Sequence, residues 1–177
     1  MNPSIPSFEA LLFKRKSTIV AKWLRQTLQT YPEPSVNFLS QQPDPFRNPV
    51  GHTLKEGLST LFDGIVRPAD GAPTQSALDA ILRIRAVQDV AAGRAISFLF
   101  LLKRIIKSEF PESSVNFSDE LAAVEIRIDE MTLLAFDVYV KCREQIAAIK
   151  SNESRRMSFL AERIHLKSTA GAVNVTR

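Results

Sequence analysis

Apolar residues along the chain recur at spacings of three and four rather than two, a pattern that predicts helices and no strand. Ser7 is placed to cap a first helix, with Glu9 in its first turn and Phe8, Leu12, Ile19 and Trp23 near one face. Pro32 and Pro34 end that helix near Tyr31. Ser35 to Arg47, with Pro43 and Pro45, then reads as a loop holding a short helical turn around Asn37 to Leu39. Asn48-Pro49 is the sharpest local signal: Asn caps a helix amino terminus, and Pro at the first helical position lacks only a donor that would be orphaned anyway. The second helix therefore starts at Pro49, with Val50, Leu54, Leu58, Leu61 and Ile65 on one stripe. Gly57 at its edge leaves room for another helix, and Asp63-Gly64 through Pro73 ends the element.

Thr74 or Ser76 can cap a third helix, whose apolar face carries Leu78, Ile81 and Leu82 and also Arg85. An arginine on a buried stripe costs free energy unless paired, so Arg85 is expected to find a carboxylate, backbone carbonyls or an anion. After a restart at Asp89, Ile96, Leu99, Leu102, Ile105 and Ile106, with Phe98 and Phe100 on other faces, predict a central buried helix that Phe110-Pro111 stops. Ser118, followed by Asp119 and Glu120, opens the last helix. There Met131, Leu134, Val138 and Cys142 keep the spacing, and Leu133, Phe136, Tyr139 and Val140 broaden the apolar surface into core. No Gly or Pro interrupts it before Gly171, and Ser151-Asn152 is its weak point. Past the core the pattern thins to Ile146, Ile149, Met157, Leu160 and Ile164 amid charge, like the seam of a coiled coil. The fold expected is an all-α bundle of about five main helices with a long carboxyl-terminal helix. It divides into a domain over 1–150, a helical extension over 151–167 and a flexible tail over 168–177.

An apolar fraction of 45% and a charged fraction of 24% exclude the composition of intrinsic disorder. Cys142 is the one cysteine, so no intramolecular disulfide forms and no cysteine-based zinc cluster assembles. The longest apolar-rich stretch, Ala95 to Leu102 with Ser97 inside it, falls well short of the roughly 20 residues that span a bilayer, and Met1 to Phe13 lacks the pattern of a signal peptide. A cytoplasmic protein without a transmembrane segment is expected. The net charge of +4 is concentrated at the carboxyl end, where eight Lys/Arg from Lys141 onward face three Glu. Arg143, Lys150, Arg155, Arg156 and Arg163 make a nucleic-acid-binding regulator the rival reading. Interspersed Glu144, Glu153 and Glu162 break any phosphate-tracking stripe, however, and no helix-turn-helix pattern appears.

Catalytic chemistry has no visible carriers, because there is no Gly-rich phosphate loop, no Ser-His-Asp set and no persuasive pair of metal carboxylates. His52 and His165 are expected at solvent-exposed positions rather than as ligands, so neither metal nor cofactor is expected. Cys142 reads as a packed thiol. Arg85 and Asp137 are the ionisable residues in apolar helical surroundings. Their ordinary role is an ion pair or separate solvation, and the functional alternative is a small anion site with Arg83 and Lys103.

Several short elements carry a family likeness: Trp23 with Thr30-Tyr31-Pro32, Phe46-Arg47-Asn48-Pro49-Val50-Gly51, Arg83-Ile84-Arg85-Ala86-Val87-Gln88, Leu102-Lys103 and Phe136-Asp137-Val138-Tyr139. From about Phe8 to Arg156 the chain resembles the RsbRD N-terminal domain family, named after the RsbT co-antagonists of the bacterial stressosome. Members place this helical domain ahead of a STAS domain or a kinase module. The chain ends before such a domain would fit, so it is similar to stand-alone forms, which are associated with anaerobic sulfur respiration. Related stressosome sensors have a globin-like fold without haem. The resemblance thus implies a non-catalytic sensor or adaptor with a protein partner, and the seam adds a homodimer through the carboxyl-terminal helix. A small-ligand- or anion-binding globin-like protein without haem is the further alternative.

Overall fold

The computed structural model describes residues 7–31, 36, 39, 44, 46–68, 71–111 and 117–173, with side chains as far as Arg163. Among these residues there are seven helices and no strand: α1 (Phe8–Lys14), α2 (Lys16–Leu28), α3 (Pro49–Val66), α4 (Gly71–Val87), α5 (Ala92–Ile96), α6 (Phe98–Glu109) and α7 (Ser118–Val173). Ser7 caps α1 by accepting the Ala10 amide at 3.2 Å. α3 and α4 form an antiparallel hairpin, its register marked by Gly64 facing Thr74 and Gly57 facing Ala77 and Ile81. A Cβ on Gly57 would stand 2.9 Å from Ile81 Cδ1, so the close approach of these helices depends on that glycine. α2 and α6 are antiparallel too. Arg15 before α2 binds Glu109 at the end of α6, while Trp23 farther along α2 reaches Phe98 at the start of α6. Lys103–Asp129 and Lys107–Glu125 set the same opposed direction for α6 and α7. α7 lies against α3, α4, α5 and α6, closing one apolar core around Trp23, Leu58, Phe62, Ile81, Phe98, Leu102 and Ile128.

The helix expected from Ser7 to Tyr31 is broken at Arg15, where φ −103° and ψ 7° leave the helical region while the side chain reaches the Glu109 carboxylate at 3.0 Å. The central helix is likewise divided at Ser97. These two breaks make seven helices of the expected five. α3 runs to Val66, beyond Asp63-Gly64, and α4 starts at Gly71, ahead of both candidate caps. Within α6, Phe98, Leu99, Leu102, Ile105 and Ile106 are buried, but Phe100 is exposed, so this helix is amphipathic rather than apolar all round. In α7 the core face is Leu121, Val124, Ile128, Ala135, Tyr139 and Cys142. Leu133, Leu134, Phe136 and Val140, expected in the core, stand exposed on other faces. Leu39 is helical, whereas Asn37 lies outside the described residues.

Asn48 caps α3 by accepting the Gly51 amide at 2.8 Å, and its own amide donates to the Leu39 carbonyl at 2.9 Å. A side chain at position 51 would collide with the Asn48 carboxamide, which explains Gly at the third helical position. Asn48 is buried. Asn48→Ala is expected to cost about 2 kcal/mol, the cap plus one tertiary hydrogen bond, and Asn48→Asp about half that because the cap acceptor survives. Urea unfolding checks the order of the two variants. Unchanged stability with lost partner binding would assign Asn48 a functional rather than structural role.

Candidate functional site

Arg85 is 1% exposed and is among the largest fully buried side chains. α4 delivers it to the junction of three other segments. One guanidinium nitrogen donates to the Arg94 carbonyl in α5 at 3.1 Å, and another to the Thr30 hydroxyl just after α2 at 3.0 Å. The Tyr31 and Phe98 rings lie 5.0 and 5.2 Å from the guanidinium carbon. No carboxylate among the described residues pairs with Arg85, and its Nε is buried without a hydrogen-bond partner. The charge is instead met by the carboxyl ends of α2 and α5, where carbonyl dipoles concentrate negative potential, and by two aromatic faces. Burial presses the Arg85 pKa downward, with Tyr31 opposing, yet guanidinium stays protonated at neutral pH. Burial likewise raises the Tyr31 phenol, with Arg85 pulling the other way. Beneath this cluster the Trp23 indole donates to the Phe98 carbonyl at 2.6 Å and stacks on the Phe98 ring at 6.1 Å.

The turn after α4 is fastened to α7. Asp89 has φ 58°, a left-handed conformation rare outside glycine. Arg143 forms an ion pair with Asp89 and donates to the Ala86 carbonyl at 3.0 Å, and the Tyr139 hydroxyl donates to the Val90 carbonyl. One turn of α7 thus holds the α4–α5 connection at the point where the core face of α7 runs out.

The other residues expected at an anion site are distributed differently. Arg83 is exposed and pairs with Asp79 one turn away at 2.5 Å, Lys103 bridges to Asp129 of α7 at 2.6 Å, and Asp137 is exposed. Arg83, Lys103 and Asp137 therefore share no partner with Arg85. Cys142 is buried, and burial pushes its thiol up, away from the reactive thiolate. His52 is exposed, and the side chain of His165 lies outside the described residues. Of the partners expected for Arg85 a backbone carbonyl is the one found, and the Thr30 hydroxyl and the two rings are additional. Their only signal is an aromatic and a hydroxyl, Tyr31 and Thr30, at a helix end immediately before a proline.

α7 is a single helix of 56 residues, about 84 Å long at 1.5 Å per residue. It passes Ser151-Asn152 without a break and continues to Val173, into the stretch expected as a tail. Ile146 is half-buried against the core, and every described side chain from Ala147 to Arg163 is exposed. Ile149, Glu153, Met157 and Leu160 follow Cys142 and Ile146 at spacings of three and four, so they prolong the core-facing stripe beyond the bundle that would cover it. Met157 is 67% and Leu160 51% exposed. The Ile164 side chain lies outside the described residues.

Among its described residues the chain is an all-helical domain with a buried arginine at a helix junction and a last helix that overruns its own core. The chain is a member of the RsbT co-antagonist protein rsbRD N-terminal domain family, whose sequence profile matches residues 17–154, and so falls among stressosome-type signalling domains. No curated protein and no solved structure matches it. No helix among the described residues is long and apolar enough to cross a membrane.

Proposed function

We propose that this chain is a non-catalytic signalling domain that acts through protein contacts, with the overrunning part of α7 as its contact element and a second copy of the chain as the first occupant. The observation that carries this reading is the continuity of the stripe: Ile149, Met157 and Leu160 stand in register with Cys142 and Ile146 but have left the bundle behind. The part of α7 beyond Lys150 gains nothing from packing within the bundle, so pairing supplies the burial that the core no longer does. Lys150, Arg155 and Arg156, with Glu162, flank the stripe, and Glu153 lies within it, so charge gives the paired helices a preferred register. The Asp89–Arg143 and Val90–Tyr139 contacts connect the buried arginine cluster to the same helix and supply a physical route from core to contact element. Light scattering on the intact chain and on a chain ending at Lys150 tests the reading. The intact chain is expected to dimerise with rising concentration and the shortened one to stay monomeric with its helical signal otherwise kept. Equal masses for both would overturn it.

A further inference from the structure

A cavity of about 580 Å³ lies between the carboxyl half of α2 and the amino end of α3, and neither Arg85 nor the overrunning part of α7 lines it. Its volume is in the range that holds small organic ligands. Leu24, Leu28, Val36 and Leu39 give it apolar walls, and Arg25, His52 and Lys55 stand around it with no acidic residue among the described lining side chains. Arg25 and Lys55 are exposed and form no ion pair among the described residues, unlike Arg15, Lys16, Lys22 and Arg67 nearby in the same bundle, each of which has a carboxylate. Apolar walls under an uncompensated cationic rim fit one chemistry: a hydrocarbon body in the cavity and a carboxylate between Arg25 and Lys55.

We propose that this cavity binds a monocarboxylate with a hydrocarbon body. The site stands independently of the protein-contact reading, because none of its lining residues belongs to α7. Both charge and chain are required: the chain is buried by the hydrophobic effect, and the head group is selected by one guanidinium and one ammonium that have no carboxylate partner among the described residues.

Isothermal titration of the full chain with decanoate, kept below its micelle-forming concentration, is the test. Saturable binding of one decanoate per chain is expected, with decanol at least tenfold weaker because it lacks the charge. The double variant Arg25→Gln, Lys55→Gln should weaken decanoate at least tenfold and leave decanol unchanged. Ala21→Trp, which puts an indole into the cavity from an exposed position, should abolish binding of both, and Leu133→Glu on the exposed face of α7 should change neither. Circular dichroism establishes that each variant is folded. Absence of decanoate binding, equal binding of decanol, or loss on Leu133→Glu in place of Ala21→Trp overturns the proposal.

Discussion

Arg85→Ala is expected to destabilise the domain by about 3 kcal/mol, whereas Arg85→Met should change stability by no more than about 1 kcal/mol in either direction. The alanine variant opens a cavity between Tyr31 and Phe98 and removes donors from the Thr30 hydroxyl and the Arg94 carbonyl. Methionine fills most of that space with no charge to desolvate. Both acceptors keep another partner, since Ser97 donates to the Arg94 carbonyl and the Thr30 hydroxyl itself donates to the Thr27 carbonyl. A buried cation without a carboxylate loses several kcal/mol of hydration, which dipoles and aromatic faces recover only in part. Arg85→Lys should fall between the two, about 2 kcal/mol, because a compact ammonium cannot span both acceptors. Urea unfolding of the three variants gives the order. A methionine variant as unstable as the alanine one would mean that the hydrogen bonds, and not the filled volume, hold this junction.

Trp23→Ala is expected to cost about 4 kcal/mol, the middle of the range for removing a fully buried aromatic. Its ring has no exposed surface, stacks on Phe98 and anchors α2 to the first turn of α6. Trp23→Phe keeps most of the packing and loses the indole donor, for about 1–2 kcal/mol. Trp23 and Arg85 both rest on Phe98, so the double variant Trp23→Phe, Arg85→Met should show non-additive stability. Strict additivity would show that α2 and α4 are fastened to α6 independently. Circular dichroism is the readout, because the variants remove the chain's one tryptophan.

The elements most legible in the sequence are those with a local chemical cause. Asn48-Pro49 fixes the start of α3 to the residue because cap and proline act within one turn, and Phe110-Pro111 ends α6 for the same reason. Arg85 was legible as a buried charge because Leu78, Ile81 and Leu82 define its face, but its partners come from Thr30, Tyr31, Arg94 and Phe98, brought together only by tertiary packing. The break at Arg15 has no Gly or Pro to announce it. It coincides with a long-range tie to Glu109 that no local pattern encodes. In α7 the expected face is in part the buried one: Tyr139 and Cys142 are buried and Met131 and Val138 pack against the core, but Leu134 stands exposed. Apolar residues occur all round the helix between Met131 and Val140, and the small Ala135 packs inside while Leu133 and Phe136 remain outside. The cavity between α2 and α3 escaped sequence reasoning because its walls come from three separate segments, two of them ordinary amphipathic helices.

Amide hydrogen exchange along α7, measured at two protein concentrations, tests the claim that this domain works through its overrunning helix most directly. Amides from Lys150 to Arg163 have no covering side chains from the bundle, so protection there that rises with protein concentration, above what the helix's own hydrogen bonds give, reports contact with another molecule. The account predicts protection of this segment at high concentration, lost on dilution, while amides around Ile128 to Tyr139 stay protected throughout. Rapid exchange from Lys150 onward at every concentration, in a chain that stays monomeric and binds no partner there, would contradict it.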